Sequence, residues 1–178
     1  MSRTGATRVK VTHHVLRKST APNPNSLRMT RPITQVHVDS NIDRVHWTIR
    51  ALFGDEYPDI LAKRYAMVNV WRPLKTVHRD PLGFVDGATT NDADFILRDI
   101  IMPNGSQRQV NTGVAHGRDH VWYYLHEQNP VEVLFLKCWD SKEGVVKRCP
   151  HSGILWSPSE PQEDRESIEL RCILIWDA

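Results

Sequence analysis

Eight short apolar or alternating segments, closed off by turn residues, and only one stretch at helical spacing restrict this chain to a mainly β architecture. Strands are expected over residues 9–15, 33–39, 66–71, 107–114, 120–125, 131–138, 152–156 and 168–176. Residues 19–26, rich in Ser, Pro and Asn, read as a loop, and Asn129-Pro130 as a turn. Ile42, Val45, Ile49 and Leu52 predict a helix with Ser40 as N-cap, Asp43 near the positive end of its dipole and Gly54 at its close. A second short helix is expected at about 58–64. Residues 83–87 sit between turn residues, and 91–100 read as a short helix or a loop. This element count fits a double-stranded β-helix (jelly roll) core with a few flanking helices, whose inward side chains can converge in an open mouth between two sheets.

At 178 residues the chain is expected to form one domain, with a basic strand-and-loop lead-in over 1–31 and a helical insertion at about 41–64. A chain of this size buries roughly 70% of its unfolded surface without disulfides. Cys138, Cys149 and Cys172 form no metal-binding pair at short spacing, and their odd number argues against a secreted disulfide framework. They read as reduced thiols of a cytoplasmic protein. No apolar run approaches the roughly 20 residues of a membrane span, and no signal peptide is evident, so no membrane partner is expected. Seven basic residues and no acid precede Asp39. An organellar transit segment or a phosphate-contacting arm would have this bias. However, Val9-Lys10-Val11-Thr12 alternates like a half-buried strand, and no nucleic-acid-binding module accompanies it.

The chemistry concentrates in His37-Val38-Asp39 and His151. On a strand, residues two apart share a face. A distant second imidazole would complete two histidines and one carboxylate, the ligand set of non-haem Fe(II) oxygenases. The plainer reading is a buried His–Asp pair with an unrelated histidine, and a rival triad is His120, Asp140 and His151. Fourteen residues beyond His151, Arg165 and Ser167 stand two apart at the entry to the last strand. A guanidinium with a hydroxyl beside it is a receptor for a small carboxylate; a salt bridge with a nearby acid is the structural alternative. On that strand Arg165, Ser167, Glu169 and Arg171 fall on one face, and Ile168, Leu170, Cys172 and Leu174 on the other. Asn69, on an apolar strand, needs buried partners: a bound substrate or co-substrate, or another strand. Arg72, His120 and Arg171 are candidates for substrate contact, and Trp71, Trp122, Tyr123 and Tyr124 for the core.

A string of motifs occurs in order: Asn69-Val70-Trp71-Arg72-Pro73, Pro81-Leu82, Asp86, His120-Val121-Trp122-Tyr123-Tyr124, Lys137-Cys138-Trp139-Asp140-Ser141, Pro150-His151 and Arg165-Glu166-Ser167-Ile168-Glu169-Leu170-Arg171. With these the chain resembles the fungal gibberellin-desaturase and cephem-methoxylase-related hydroxylase/desaturase family, from about residue 5 onward. The resemblance implies a jelly-roll core, Fe(II) held by His37, Asp39 and His151, and 2-oxoglutarate held by Arg165 and Ser167. It also implies oxidation of a small secondary metabolite by dioxygen; hydroxylation, desaturation and ring closure share these requirements. Members are usually longer at the N-terminal side, and a homodimer covering that region is one expectation. Two other functions fit the same cavity. One is a metal-dependent isomerase or cyclase without 2-oxoglutarate, and the other a non-catalytic ligand-binding relative.

Overall fold

In a computed structural model, which describes residues 3–21, 29–101, 107–155 and 162–177, the chain forms two antiparallel sheets with a helix pair. One sheet has the order β1-β10-β3-β8: β1 is Arg8–Lys18, β3 is Arg64–Pro73, β8 is Leu134–Asp140 and β10 is Glu166–Trp176. The other has the order β5-β6-β2-β9-β4-β7: β2 is His37–Val38, β4 Leu82–Val85, β5 Phe95–Ile101, β6 Gln107–Val114, β7 Trp122–Tyr124 and β9 His151–Gly153. This is the jelly roll that the element count predicts.

Period-two alternation in β3 and β10 sorts their side chains. Ala66, Val68, Cys172 and Leu174 pack with Ala6 on one face. The other face carries Tyr65, Met67, Asn69 and Trp71 of β3, and Ser167, Glu169, Arg171, Ile173 and Ile175 of β10. At one end of this second face, Tyr65, Met67, Ile173 and Ile175 join Val38, Val45, Ile49, Ile60 and Cys138 in an apolar cluster. At the other end, Trp71 and Leu136 join Val77, from the segment between β3 and β4, and Leu82 of the other sheet. Between the two apolar layers lies a polar one, Asn69 with Glu169 and Arg171. Water does not reach Asn69, so its hydrogen bonds must be made within the protein.

Helix α1, Ile42–Phe53, buries Val45 and Ile49 and follows directly on β2. Its N-cap is Asn41, not Ser40: the Asn41 side chain accepts from the Arg44 N–H at 2.8 Å, and Ser40 is wholly buried one residue earlier. Gly54, at φ +53°, ends the helix in a left-handed conformation that a β-carbon disfavours. Helix α2 is shorter than expected, Tyr57–Leu61, because Arg64 already belongs to β3 opposite Trp176.

Other boundaries also differ from the sequence reading. Residues 91–100 form a 3-10 turn at Asp92–Asp94, with Asn91 and Asp94 in a reciprocal cap, and then strand β5. Residues 83–87 contribute to β4 rather than to a turn alone. The strand at 33–39 shrinks to two residues, leaving Asp39 just beyond it. The segment at 152–156 begins one residue earlier as β9; Trp156 lies outside the described residues, as do 22–26 of the expected loop. Trp71 is core as expected, but Trp122, Tyr123 and Tyr124 are 40–50% exposed, because β7 has a neighbour on one side only. The three cysteines are free thiols.

Asp140, a member of the rival triad, is spent on structure. It is buried and bonded by Arg64 at 2.9 Å and Lys137 at 3.1 Å. Burial pushes its carboxyl up, but Arg64, the Lys142 N–H and Lys137 outweigh burial and hold it below the usual range. Asp140→Asn should lower the stability to urea by about 2 kcal/mol, the value of a charge-assisted bond whose cationic partners can turn to water. Because the folded carboxyl titrates lower than the unfolded one, this contribution is present above about pH 3.9 and fades as pH falls through the folded value. The variant's acid-unfolding curve should be correspondingly flatter.

Candidate metal centre

Strand register brings the two imidazoles together. His37 of β2 lies directly across from His151 of β9, and side chains of such a pair leave the sheet on the same face. Their ring centroids are 4.7 Å apart. Asp39, two residues past His37, points the same way. Its Oδ1 lies 3.4 Å from His37 Nε2, and its Oδ2 lies 3.4 Å from His151 Nε2. One ligand atom from each residue falls within 4.8 Å of the others, and all three residues are buried. Among the described residues no other cluster of His, Cys, Asp or Glu approaches a metal geometry.

The far side of each ring is fixed by the backbone. His37 Nδ1 lies 2.7 Å from the Gln35 carbonyl, and His151 Nδ1 lies 3.0 Å from the Cys149 carbonyl. A carbonyl only accepts, so Nδ1 carries the hydrogen and donates, and Nε2 is left to face Asp39. This is the outer-shell arrangement that sets the tautomer of metal-ligating histidines.

Asp39 is held on both oxygens. Asn69 Nδ2 donates to Oδ2, and Arg171 Nη2 lies 3.3 Å from Oδ1. The same Asn69 nitrogen donates to Glu169 Oε1 at 3.0 Å, and its carbonyl accepts from Arg171 Nε at 3.4 Å. Burial pushes Asp39 up, but His151, His37 and Arg171 more than reverse this and hold it well below the usual carboxylate range. Burial pushes His151 down, and the neighbouring Asp39 and Glu169 turn the balance so that it binds a proton more tightly. Glu169 is pushed up by burial and by Asp39. Two basic imidazole nitrogens facing one ionised carboxylate is the donor set that a divalent cation would bind in place of a proton.

The sequence left Asn69 either to contact substrate or co-substrate or to tie two strands together; here its amide joins Glu169 to Asp39. If Asn69 orients the metal carboxylate, Asn69→Ala should weaken Co(II) binding by about 10–100-fold, the cost of losing an outer-shell partner. Titration of the Co(II) d–d bands in the apoprotein measures this.

Arg165 and Ser167 enter the same layer from the start of β10. Both are buried. Arg165 Nη1 donates to the Asp80 carbonyl at 2.7 Å, and its guanidinium lies 5.6 Å from the Trp71 ring centroid. Arg165 Nε and Ser167 Oγ are buried without a hydrogen-bond partner. Two such orphans two residues apart are costly unless a ligand satisfies them. Burial, and then the nearby Arg17, push Arg165 down to about 10 against the weaker opposing pull of Asp80 and Glu169. A void lined by Arg165, Glu169, His37, His151 and Trp71 joins it to the histidines; its volume is about 10 Å3, room for one water. A diacid would have to displace side chains to enter.

Two further candidates lie elsewhere. Arg72 Nε donates to the Pro130 carbonyl at 2.7 Å. His120 Nε2 is 3.0 Å from Asp94 Oδ2, and this histidine lines a separate cavity of about 430 Å3 with Val36, Val114 and Trp122. The rival triad of His120, Asp140 and His151 does not converge.

Two histidines on paired strands of a jelly roll, with one carboxylate beside them, form the ligand set known from mononuclear non-haem iron oxygenases. A family model described as "Oxidoreductase/YMDC permease-like domain" matches residues 1–175, and the chain belongs to that family. It is 33% identical to the hydroxylase/desaturase efuI of Hormonema carpetanum, over 82% of this chain and 52% of the relative. It is 33% identical to the gibberellin cluster GA4 desaturase of Gibberella fujikuroi, over 69% of this chain and 38% of that protein. The solved structure of the iron and alpha-ketoglutarate-dependent endoperoxidase NvfI superposes with a TM-score of 0.83 at 26% identity, covering 97% of this chain and 63% of that one. The resemblance drawn from the motifs is borne out. The chain spans about half or less of the length of these two curated relatives. No helix among the described residues is long and apolar enough to cross a membrane.

Proposed function

We propose that this chain is the catalytic core of an Fe(II)- and 2-oxoglutarate-dependent oxygenase that oxidises a small organic substrate with dioxygen. The observation that carries the reading is the convergence of His37, Asp39 and His151, with two unpartnered buried donors on Arg165 and Ser167 at the end of the same polar layer. Each residue has a defined task. His37 and His151 present Nε2, with Nδ1 tied to backbone carbonyls. Asp39 supplies the anionic ligand, and Asn69 and Arg171 hold its oxygens in place. Arg165 and Ser167 offer hydrogen bonds to the distal carboxylate of the diacid, and Trp71 walls that carboxylate from water. Bound iron would supply open coordination positions and the redox chemistry that couples decarboxylation of the keto acid to oxidation of a C–H bond.

The test is anaerobic. Fe(II) followed by 2-oxoglutarate should raise a weak visible charge-transfer band that neither produces alone. A band absent under saturating Fe(II) and 2-oxoglutarate would favour a metal-dependent isomerase or a binding relative. Because Fe(II) is low in the affinity order of divalent ions, the protein must be stripped of other metals first.

A further inference from the structure

Among the described residues of β1, Arg17 alone lines the void beside the metal centre. It stands directly across from Ser167 in the β1–β10 register, so both side chains leave the sheet on its inward face. Arg165, Glu169 and both ligand histidines line the same void, so an occupant that touches Arg17 is already on the metal side. We propose that Arg17 is a third member of the co-substrate clamp: with Arg165 and Ser167 it binds the distal carboxylate of the diacid, which then bridges β1 and β10. The proposal rests on the oxygenase reading, which it deepens.

Three observations support it. First, Arg17 carries a charge that its own bonds do not balance. Its Nη1 donates to Thr30 Oγ1 at 3.0 Å and to the Arg31 carbonyl at 3.1 Å, and both acceptors are neutral. Among the described residues its Nε and Nη2 make no hydrogen bond, and no carboxylate forms an ion pair with it. Second, the surroundings are short of negative charge. Asp39 and Glu169 both face Arg171, at 3.3 Å and 3.9 Å, and Asp80 is paired with Arg79 at 3.0 Å. Arg17 and Arg165 are left to share one void with two unpartnered buried donors, Arg165 Nε and Ser167 Oγ. Guanidiniums gathered in this way repel each other, and Arg17 helps to push Arg165 down. A carboxylate between them would reverse that repulsion and accept the orphaned hydrogens. Third, Arg17 is fixed in advance. Thr30, which holds its Nη1, is itself tied to β1: its N–H donates to the Leu16 carbonyl, and its carbonyl accepts from the Lys18 N–H, each at 3.0 Å. A donor ordered before the ligand arrives loses little freedom on binding.

The experiment uses the full chain loaded with Co(II). Calorimetry compares N-oxalylglycine, a non-reactive diacid with the distal carboxylate, and pyruvate, a keto acid without it. Arg17→Gln should weaken N-oxalylglycine about tenfold, the loss of one charge-assisted bond at a half-buried site, and leave pyruvate and Co(II) affinity unchanged. Arg17→Lys, which keeps the charge, should stay within about threefold of the parent. Adding Arg17→Gln to Arg165→Ala should weaken N-oxalylglycine further. No further loss in that double variant would show that Arg17 acts only through Arg165, and would overturn the proposal. Equal losses for pyruvate and N-oxalylglycine, or a loss of Co(II) binding, would make Arg17 structural and overturn it as well. If the parent binds N-oxalylglycine and Arg17→Gln binds it equally, the assignment of Arg17 falls alone. If the parent itself does not bind N-oxalylglycine, the oxygenase reading falls and takes this proposal with it.

Discussion

His151→Ala should leave a folded protein that no longer forms the charge-transfer complex with Fe(II) and 2-oxoglutarate and makes no succinate. His151 is one of three buried ligand atoms, and its partner across the sheet is the other imidazole. Removing an outer-shell partner costs about 10–100-fold in metal affinity; removing a ligand must exceed that. The Co(II) dissociation constant is therefore expected to rise more than 100-fold. The fold should survive, since β9 is held by backbone bonds to β2 and β4 that do not involve the ring. Deletion also relieves a buried group that Asp39 and Glu169 draw toward protonation. An unfolded His151→Ala would assign the histidine to structure, and a Co(II) spectrum identical to the parent's would remove it from the ligand set.

Arg165→Ala should separate co-substrate binding from metal binding. A hydrogen bond from a charged donor contributes about 1.5–3 kcal/mol, so 2-oxoglutarate affinity should fall roughly ten- to a hundredfold. Co(II) affinity should not change, because Arg165 has no bond to His37, Asp39 or His151 among its described contacts. Stability gives an independent sign. The guanidinium is buried, pushed down to about 10 by burial and Arg17, and its Nε has no partner. Removing an under-compensated buried charge costs little in the ligand-free protein and can stabilise it. The melting temperature of the ligand-free variant should thus match or exceed the parent's, while the rise on adding 2-oxoglutarate shrinks. A large loss of stability without ligand would make Arg165 a structural residue instead.

Much of this site is legible in the sequence because it depends on period-two geometry. His37 with Asp39, and Arg165 with Ser167, Glu169 and Arg171, share faces by spacing alone, and the structure places each set together. The remainder depends on register, which spacing does not carry. Asn69 meets Asp39 and Glu169 because β3 pairs with β10 so that Asn69 stands opposite Arg171. Glu169 was visible as an inward residue, yet only its shared contact with Asn69 gives it a place beside the ligand carboxylate. The exposed aromatics of β7 carry the same pattern as a central strand, and position at the sheet edge decides their burial. Asn91 and Asp94 form the reciprocal cap that their chemistry favours, but for a single 3-10 turn, after which pairing with β6 draws the chain into a strand.

The strand that carries His37 is only two residues long, wedged between β6 and β9. A cation shared by His37 and His151 would act as a rivet through neighbouring strands, adding a cross-sheet fastening where the amide ladder is shortest. Since Asp39 leads straight into α1 through the Asn41 cap, the same rivet would also pin the root of that helix. Deuterium uptake at 37–45 and 149–153 should therefore slow on loading with Co(II), while the distant β1 edge keeps its rate.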